Sequence, residues 1–269
     1  SKFIDKMADL DVRIVLAGGE TADVGDIVRT ADVGFTAFGR LKRKDLVINK
    51  IRSGQVIIGF ESYGQSTYET EYNSGIGSNG LTMARHELFH HDYADKYEET
   101  YAPQIDRKYV YTGKFKVDDN VIIGGRNHPI GKLALSPTRT YLPVLNEILK
   151  NHKESIHGII HATGGGHTKV LKYCDAPVHI LKDNLFEVPP IFDIIQKSTD
   201  TSLAEMYKVF NMGTRLELYI DAEAAASIIE ISAIFNIRAQ VIGRVEGSKD
   251  NSMSVTVITN TETLVYQEK

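Results

Sequence analysis

His161-Ala162-Thr163-Gly164-Gly165-Gly166 is the stretch on which the fold reading turns. Ile156 to His161 reads as a strand leading into the triple glycine, and a helix is expected to follow near Lys169. Strand, glycine run and helix is the local order in which main-chain N–H groups converge on an anion. Glycine has no Cβ, so the backbone can approach a ligand closely. Two other segments share the character: Gly75-Ile76-Gly77-Ser78-Asn79-Gly80 and Phe210-Asn211-Met212-Gly213. Each sets small residues beside a hydroxyl or amide. Three such loops in one chain point to a protein that grips a phosphorylated small molecule.

Strands and helices interleave outward from that stretch. Periodicity predicts strands at Val12 to Leu16, Val33 to Arg40, Val56 to Phe60, Leu216 to Ile220, Gln240 to Val245 and Ser254 to Ile258. Helices are predicted over Ser1 to Leu10, Leu81 to Asp92, Tyr141 to Leu149, Pro190 to Ile195, Ser202 to Phe210 and Ala222 to Phe235. Tyr63 to Asn73 reads as an extended loop, and Lys96 to Lys116 as a surface segment without clear period. The expected class is α/β, of the α+β sandwich type, with a mixed sheet covered by helices. The charge run Lys42-Arg43-Lys44-Asp45 marks a domain boundary, giving 1–44 and 45–269.

The 269 residues carry a net charge of −4, which argues against a nucleic-acid or membrane surface but leaves room for a local phosphate site. Cys174 is the one cysteine, so no intrachain disulfide forms, in keeping with a reducing compartment, the cytoplasm. The longest apolar runs are strand-length, too short to span a bilayer. The chain opens on Ser1 within an amphipathic run, and so reads as a fragment.

Other motifs compete with the glycine loops. His86-Glu87-Leu88-Phe89-His90 matches H-E-x-x-H, which on a helix aligns two imidazoles for zinc. Three fixed positions match often by chance, no third ligand is evident, and a polar helix face explains the run equally well. Gly125 to Lys132 superficially resembles a P-loop, but has five residues between its glycines and Leu133 where magnesium needs a hydroxyl. Cys174 shows no activating context. The glycine loops have plain structural readings too. Ser78 or Asn79 could cap the helix after Gly80, and Gly213 could close the helix before it.

Taken in order, eight segments resemble the C-terminal part of the phosphoribosylformylglycinamidine cyclo-ligase (aminoimidazole ribonucleotide synthetase) family. They are Gly18-Gly19-Glu20-Thr21-Ala22, Ser78-Asn79-Gly80, Pro137-Thr138-Arg139-Thr140-Tyr141, His161 to Gly166, Val188-Pro189-Pro190-Ile191-Phe192, Glu205-Met206-Tyr207, Phe210 to Gly213, and Val241-Ile242-Gly243. The resemblance spans nearly the whole chain. It implies ATP-dependent closure of formylglycinamidine ribonucleotide to aminoimidazole ribonucleotide, ADP and phosphate, in purine biosynthesis. It also implies two α/β domains, a homodimer formed through the first, ATP and magnesium held mainly there, and a small-molecule ribonucleotide partner. Residues 1–44 then correspond to the end of the ATP-binding domain, and the isolated chain is expected to be inactive. Two departures stand out. Gly77 occupies the position before Ser-Asn-Gly where the family usually has histidine, and Gln65 to Asn73 reads as an insertion.

The candidate residues follow by role. Gly18, Gly19, Glu20 and Thr21 would form the nucleotide edge, with Glu20 the candidate magnesium ligand. Ser78, Asn79 and Gly80 would bind substrate. Thr163, Gly164, Gly165 and Gly166 would cradle phosphate, with Asn211 and Gly213 beside the ligand. Arg139 pairs either with phosphate or inside the fold, and His161 is either a site residue or a strand end. No general base is identifiable. The alternatives are a non-catalytic ribonucleotide-binding or assembly module, and a zinc hydrolase using His86 and His90.

Overall fold

A seven-residue strand buried along its whole length, Thr214–Ile220, sets the architecture of the computed structural model, which describes residues 1–26, 28–78 and 80–267. Such a strand must be covered on both faces. In chain order the elements are α1 (Lys2–Asp9), β1 (Val56–Glu61), α2 (Leu81–Leu88), α3 (Asp92–Lys96), β2 (Asn120–Ile123), β3 (Arg126–Pro129), α4 (Ile130–Ala134) and α5 (Leu142–His152). They continue with β4 (Ile156–His161), β5 (Val178–Lys182), α6 (Pro190–Thr199), α7 (Leu203–Val209), β6 (Thr214–Ile220), α8 (Ala225–Ile234), β7 (Ala239–Gly247), β8 (Ser254–Ile258) and β9 (Thr263–Gln267).

Seven strands form one mixed sheet in the order β4-β6-β1-β7-β5-β8-β9, antiparallel except for the parallel pair β5–β8. Ile57, Tyr219, Ile180 and Val255 face one core layer, packed with residues of α2, α6 and α7. Ile58, Phe60, Leu218 and Ile220 face the other, with α5 and α8. The expected α/β class with a mixed sheet between helices is therefore observed. β2 and β3 form a separate hairpin whose turn is Gly124-Gly125, both at positive φ (55° and 76°). A two-residue hairpin turn of that hand requires this conformation, and it accounts for the glycines of the P-loop lookalike.

Three expectations need correction. Val12 to Leu16 and Val33 to Arg40 are not strands. A strand exists only with a ladder partner; Val12 and Ile14 pack against the second core layer without one, and the 33–40 run stands out in solvent, with Phe35 88% and Phe38 86% exposed. The opening segment is nevertheless anchored. Met7 of α1 is buried in the second core layer, and the Asn146 side-chain amide donates to the Asp11 carbonyl at 3.0 Å. The helix expected through Asp92 stops at Leu88, because Phe89 and His90 turn extended and bridge to Phe115 and Gly113. A Cβ on Gly113 would lie 2.2 Å from the Leu88 carbonyl carbon, so only glycine fits that crossing. Four strands were not anticipated: β2 and β3 of the hairpin, β5, disguised by the buried Lys182 in its alternation, and the short edge strand β9.

Candidate functional site

Two of the three glycine loops meet. A cleft of about 490 Å³ is lined by Ser78, Gly80, Gly164, Gly165 and Thr168, with Lys169 and Lys172 on its wall. Gly80 stands at the N-terminus of α2 in left-handed conformation (φ 69°), and among the described residues no side chain caps the first-turn N–H groups of the helix. The Gly164 and Gly165 N–H groups have no backbone acceptor among the described residues. Asn79 lies outside the described residues.

The triple-glycine segment leads not into an α-helix but into a 3-10 helix, Gly166–Lys172. The cause is a close approach. A Cβ on Gly166 (φ 46°) would fall 2.4 Å from the Phe210 carbonyl oxygen and 2.5 Å from that of Tyr207. Thr163 turns inward, and its hydroxyl accepts a hydrogen bond from Lys169 Nζ. Lys169 is pushed below the usual lysine range by desolvation, then by Arg215 and Lys172. His161 closes β4 with its outer edge exposed. Desolvation of its inner side, with Arg215 and Lys169 nearby, lowers it to about 4, so it is neutral at pH 7. The cleft wall is thus cationic through lysine rather than histidine.

The third loop supports the first two. Asn211 is 2% exposed and both ends of its amide are spent: Nδ2 donates to the Gly75 carbonyl at 2.8 Å, and Oδ1 accepts from Gly213 N–H at 3.1 Å. Through these bonds it pins the 75–78 loop. Gly213 (φ 103°) turns tightly against the Glu187 carbonyl, so it too is structural.

Arg139 takes the internal option. Its side chain is buried, Nε and Nη2 fork onto the Glu69 carboxylate, and Nη1 donates to the Glu61 carbonyl at 3.2 Å. The supposed insertion thereby contributes the counter-ion of a buried arginine. Glu20 and Thr21 sit with Gly18 and Gly19 in an exposed, irregular stretch. Neither glycine would touch anything with an added Cβ. Among the described residues no group of three His, Cys, Asp or Glu converges as a metal site. Magnesium usually keeps several waters and takes one or two carboxylates together with substrate phosphates, and among Gly18, Gly19, Glu20 and Thr21 the one carboxylate is Glu20. The zinc reading fails on geometry. His86 lies in α2, His90 lies beyond its end, and each imidazole is engaged locally, His86 Nδ1 by Tyr111 N–H and His90 Nδ1 by Asp92 N–H.

Behind the cleft lies a polar network that sequence reasoning missed. Lys182 Nζ donates to Glu217 at 2.5 Å and to the His167 carbonyl at 3.0 Å, and Tyr219 Oη donates to the other Glu217 oxygen at 2.9 Å. His167 Nε2–H donates to the Asn211 carbonyl at 2.9 Å. Burial, then the Lys182 charge, holds His167 well below the ordinary histidine range, so it is neutral. The available signal was a charged residue alternating with apolar ones inside a strand: Lys182 in β5, and Arg215 and Glu217 in β6.

Comparison with known proteins agrees with this picture. A family model described as "AIR synthase related protein, C-terminal domain" matches residues 52–256. The phosphoribosylformylglycinamidine cyclo-ligase of Methanocaldococcus jannaschii is 31% identical over 239 residues, 88% of this chain and 58% of that protein. The enzyme of the same name from Methanococcus maripaludis is 32% identical over 255 residues, 94% of this chain and 61% of that one. Thermotoga maritima PurL, solved in complex with ATP, superposes with a TM-score of 0.42 at 12% identity, over 84% of this chain and 27% of its own. The chain belongs to the AIR synthase related family, through the C-terminal domain of that family. It spans about three fifths of the length of the curated relatives it matches.

Proposed function

We propose that this chain supplies the ribonucleotide-binding part of an ATP-dependent phosphoribosylformylglycinamidine cyclo-ligase. The reaction closes formylglycinamidine ribonucleotide to aminoimidazole ribonucleotide, with ATP converted to ADP and phosphate. The observation that carries the proposal is the cleft of about 490 Å³ onto which Gly164, Gly165, the start of α2 at Gly80 and Lys169 converge. Backbone N–H groups and lysine together favour a phosphate monoester, and such donors position it without a protein nucleophile.

In this reading residues 1–44 are the end of the ATP-binding unit, its first helix packed on the substrate domain formed by 45–269. On the same reading ATP and magnesium are held by the ATP-binding unit, and the cleft, which Glu20 does not line, takes the ribonucleotide. The extended run with Val33, Phe35 and Phe38 exposed is covered by the rest of that unit or by a second subunit. What this chain's residues do is bind and orient: Lys169 neutralises phosphate charge, while Ser78 offers a hydroxyl at the rim and Thr168 braces the loop through its hydroxyl's bond to the Gly165 carbonyl. Among the described residues no helix is long and apolar enough to cross a membrane, and the proposed setting is the cytoplasm.

Calorimetric titration with aminoimidazole ribonucleotide and with its dephosphorylated riboside tests the reading. The nucleotide should bind, and the riboside should bind at least tenfold more weakly. Equal binding of the two refutes the phosphate site. Binding by a protein that includes an ATP unit, with no ATP-dependent ring closure, would favour a non-catalytic binding module instead.

A further inference from the structure

Arg215 is 2% exposed, yet among the described residues no carboxylate pairs with it. It lies on the same strand as Glu217, which has Lys182 as its partner. The two bonds of its guanidinium come from Nη2, to the Gly75 carbonyl at 2.8 Å and the Ile76 carbonyl at 3.0 Å. Its backbone carbonyl accepts from Ala162 N–H at 2.7 Å, one residue before Thr163. Arg215 therefore touches both loops that line the cleft, by side chain on one and by main chain on the other. Gly77 fits around it: at φ 61°, a Cβ there would stand 2.3 Å from Nη2 and 2.8 Å from both Cζ and Nη1. The guanidinium fills the space that any side chain at position 77 would need.

A buried cation without a counter-ion is costly unless its charge serves something that arrives later. Lys169 is depressed first by desolvation and then by positive charge, of which Arg215 is the larger source. An incoming dianion relieves that repulsion; a neutral ligand does not.

Resting on the reading of the cleft given above, we infer that Arg215 is a positioning residue for a phosphate monoester, locking the Gly75–Ser78 loop while adding positive potential behind the cleft. Position 77 is glycine so that the guanidinium can lie there.

The probe is ribose 5-phosphate, with ribose as control, titrated calorimetrically into the wild-type chain and into Arg215→Met, Arg215→Lys, Gly77→Ala and Lys169→Ala. The double variant Gly77→Ala/Arg215→Met completes a cycle. Arg215→Met should weaken ribose 5-phosphate about ten- to a hundredfold. It should also flatten the dependence of affinity on salt, which a purely structural strut would not change. Arg215→Lys should recover part of the affinity by restoring charge without the fork. Gly77→Ala should lower affinity in the wild-type background and add little once Arg215 is Met. Should the Met variant fail to fold, Arg215→Lys and Gly77→Ala still decide, because both keep a cation. Unchanged affinity in Arg215→Met with a loss in Lys169→Ala overturns the role of Arg215 and leaves the cleft standing. Fully additive losses in the cycle overturn the Gly77–Arg215 pairing. Equal binding of ribose and ribose 5-phosphate by the wild-type chain overturns the phosphate cleft itself, and this inference with it.

Discussion

Replacing Lys182 by Met isolates the energetics behind the cleft. Lys182 and Glu217 are 0% and 1% exposed, and Nζ lies 2.5 Å from the carboxylate. Met preserves most of the stem volume and removes the charge. Glu217 then keeps only the Tyr219 hydroxyl, and the His167 carbonyl loses its donor. An uncompensated buried carboxylate costs about 3–5 kcal/mol. For a chain of this size each kcal/mol moves Tm by about 2–4 °C, so a fall of about 6–20 °C is expected in a calorimetric scan. The double variant Lys182→Met/Glu217→Gln should regain most of that loss, because a neutral amide still accepts from Tyr219 and needs no counter-ion. A drop below about 1 kcal/mol in the single variant would mean that solvent reaches the pair. Failure of the double variant to recover would mean that the lost contact at the His167 carbonyl, not the stranded charge, carries the cost.

Three further outcomes are expected. His167 is held neutral by burial and Lys182, so the unfolded chain takes up a proton below about pH 6.5 that the native state refuses. Its share of stability is complete above that pH and falls on acidification, so the urea midpoint should drop between about pH 7 and 5, less steeply in His167→Gln. Arg139→Ala strands the Glu69 carboxylate and should cost about 3 kcal/mol in urea unfolding while leaving ribose 5-phosphate affinity within twofold or so; a large affinity loss without destabilisation would return Arg139 to the site. Asn211→Ala unpairs Gly213 N–H and removes one of the two donors at the Gly75 carbonyl, at about 1–3 kcal/mol. It should also weaken the ligand by loosening the 75–78 loop, and unchanged affinity would show that this pin is not needed.

Local pattern carried most of the sheet and the two loops of the cleft. β1, β4, β6, β7 and β8 are apolar runs with sharp ends, and a strand running into three glycines has few other meanings. The misreadings share one cause, tertiary context. Val33 to Arg40 has the composition of a strand, but composition supplies no ladder partner. The helix through Asp92 was broken by Gly113, a residue 24 positions beyond Phe89 that lies across its end. Asn211 and Arg139 are polar residues in family-like motifs, and sequence alone does not say whether such a side chain faces a ligand or a carbonyl. Both face the protein.

Strand β6 shows how charges that hold a fold differ from charges that await a ligand. Arg215 and Glu217 are two residues apart on one face, and both are almost completely buried. Glu217 meets Lys182 and Tyr219, so its charge is neutralised by the fold and stays so whatever binds. Arg215 meets only carbonyl oxygens, which accept its hydrogen bonds but leave its charge in place. The neutralised pair lies beneath the triple-glycine loop, where rigidity serves alignment. The unneutralised cation lies between the two loops whose N–H groups are open, where its field adds to theirs. For the fold alone the two hydrogen bonds that lock the loop come with the cost of burying a charge that no carboxylate among the described residues offsets. Retaining it makes physical sense when the missing counter-ion is the phosphate of the ligand.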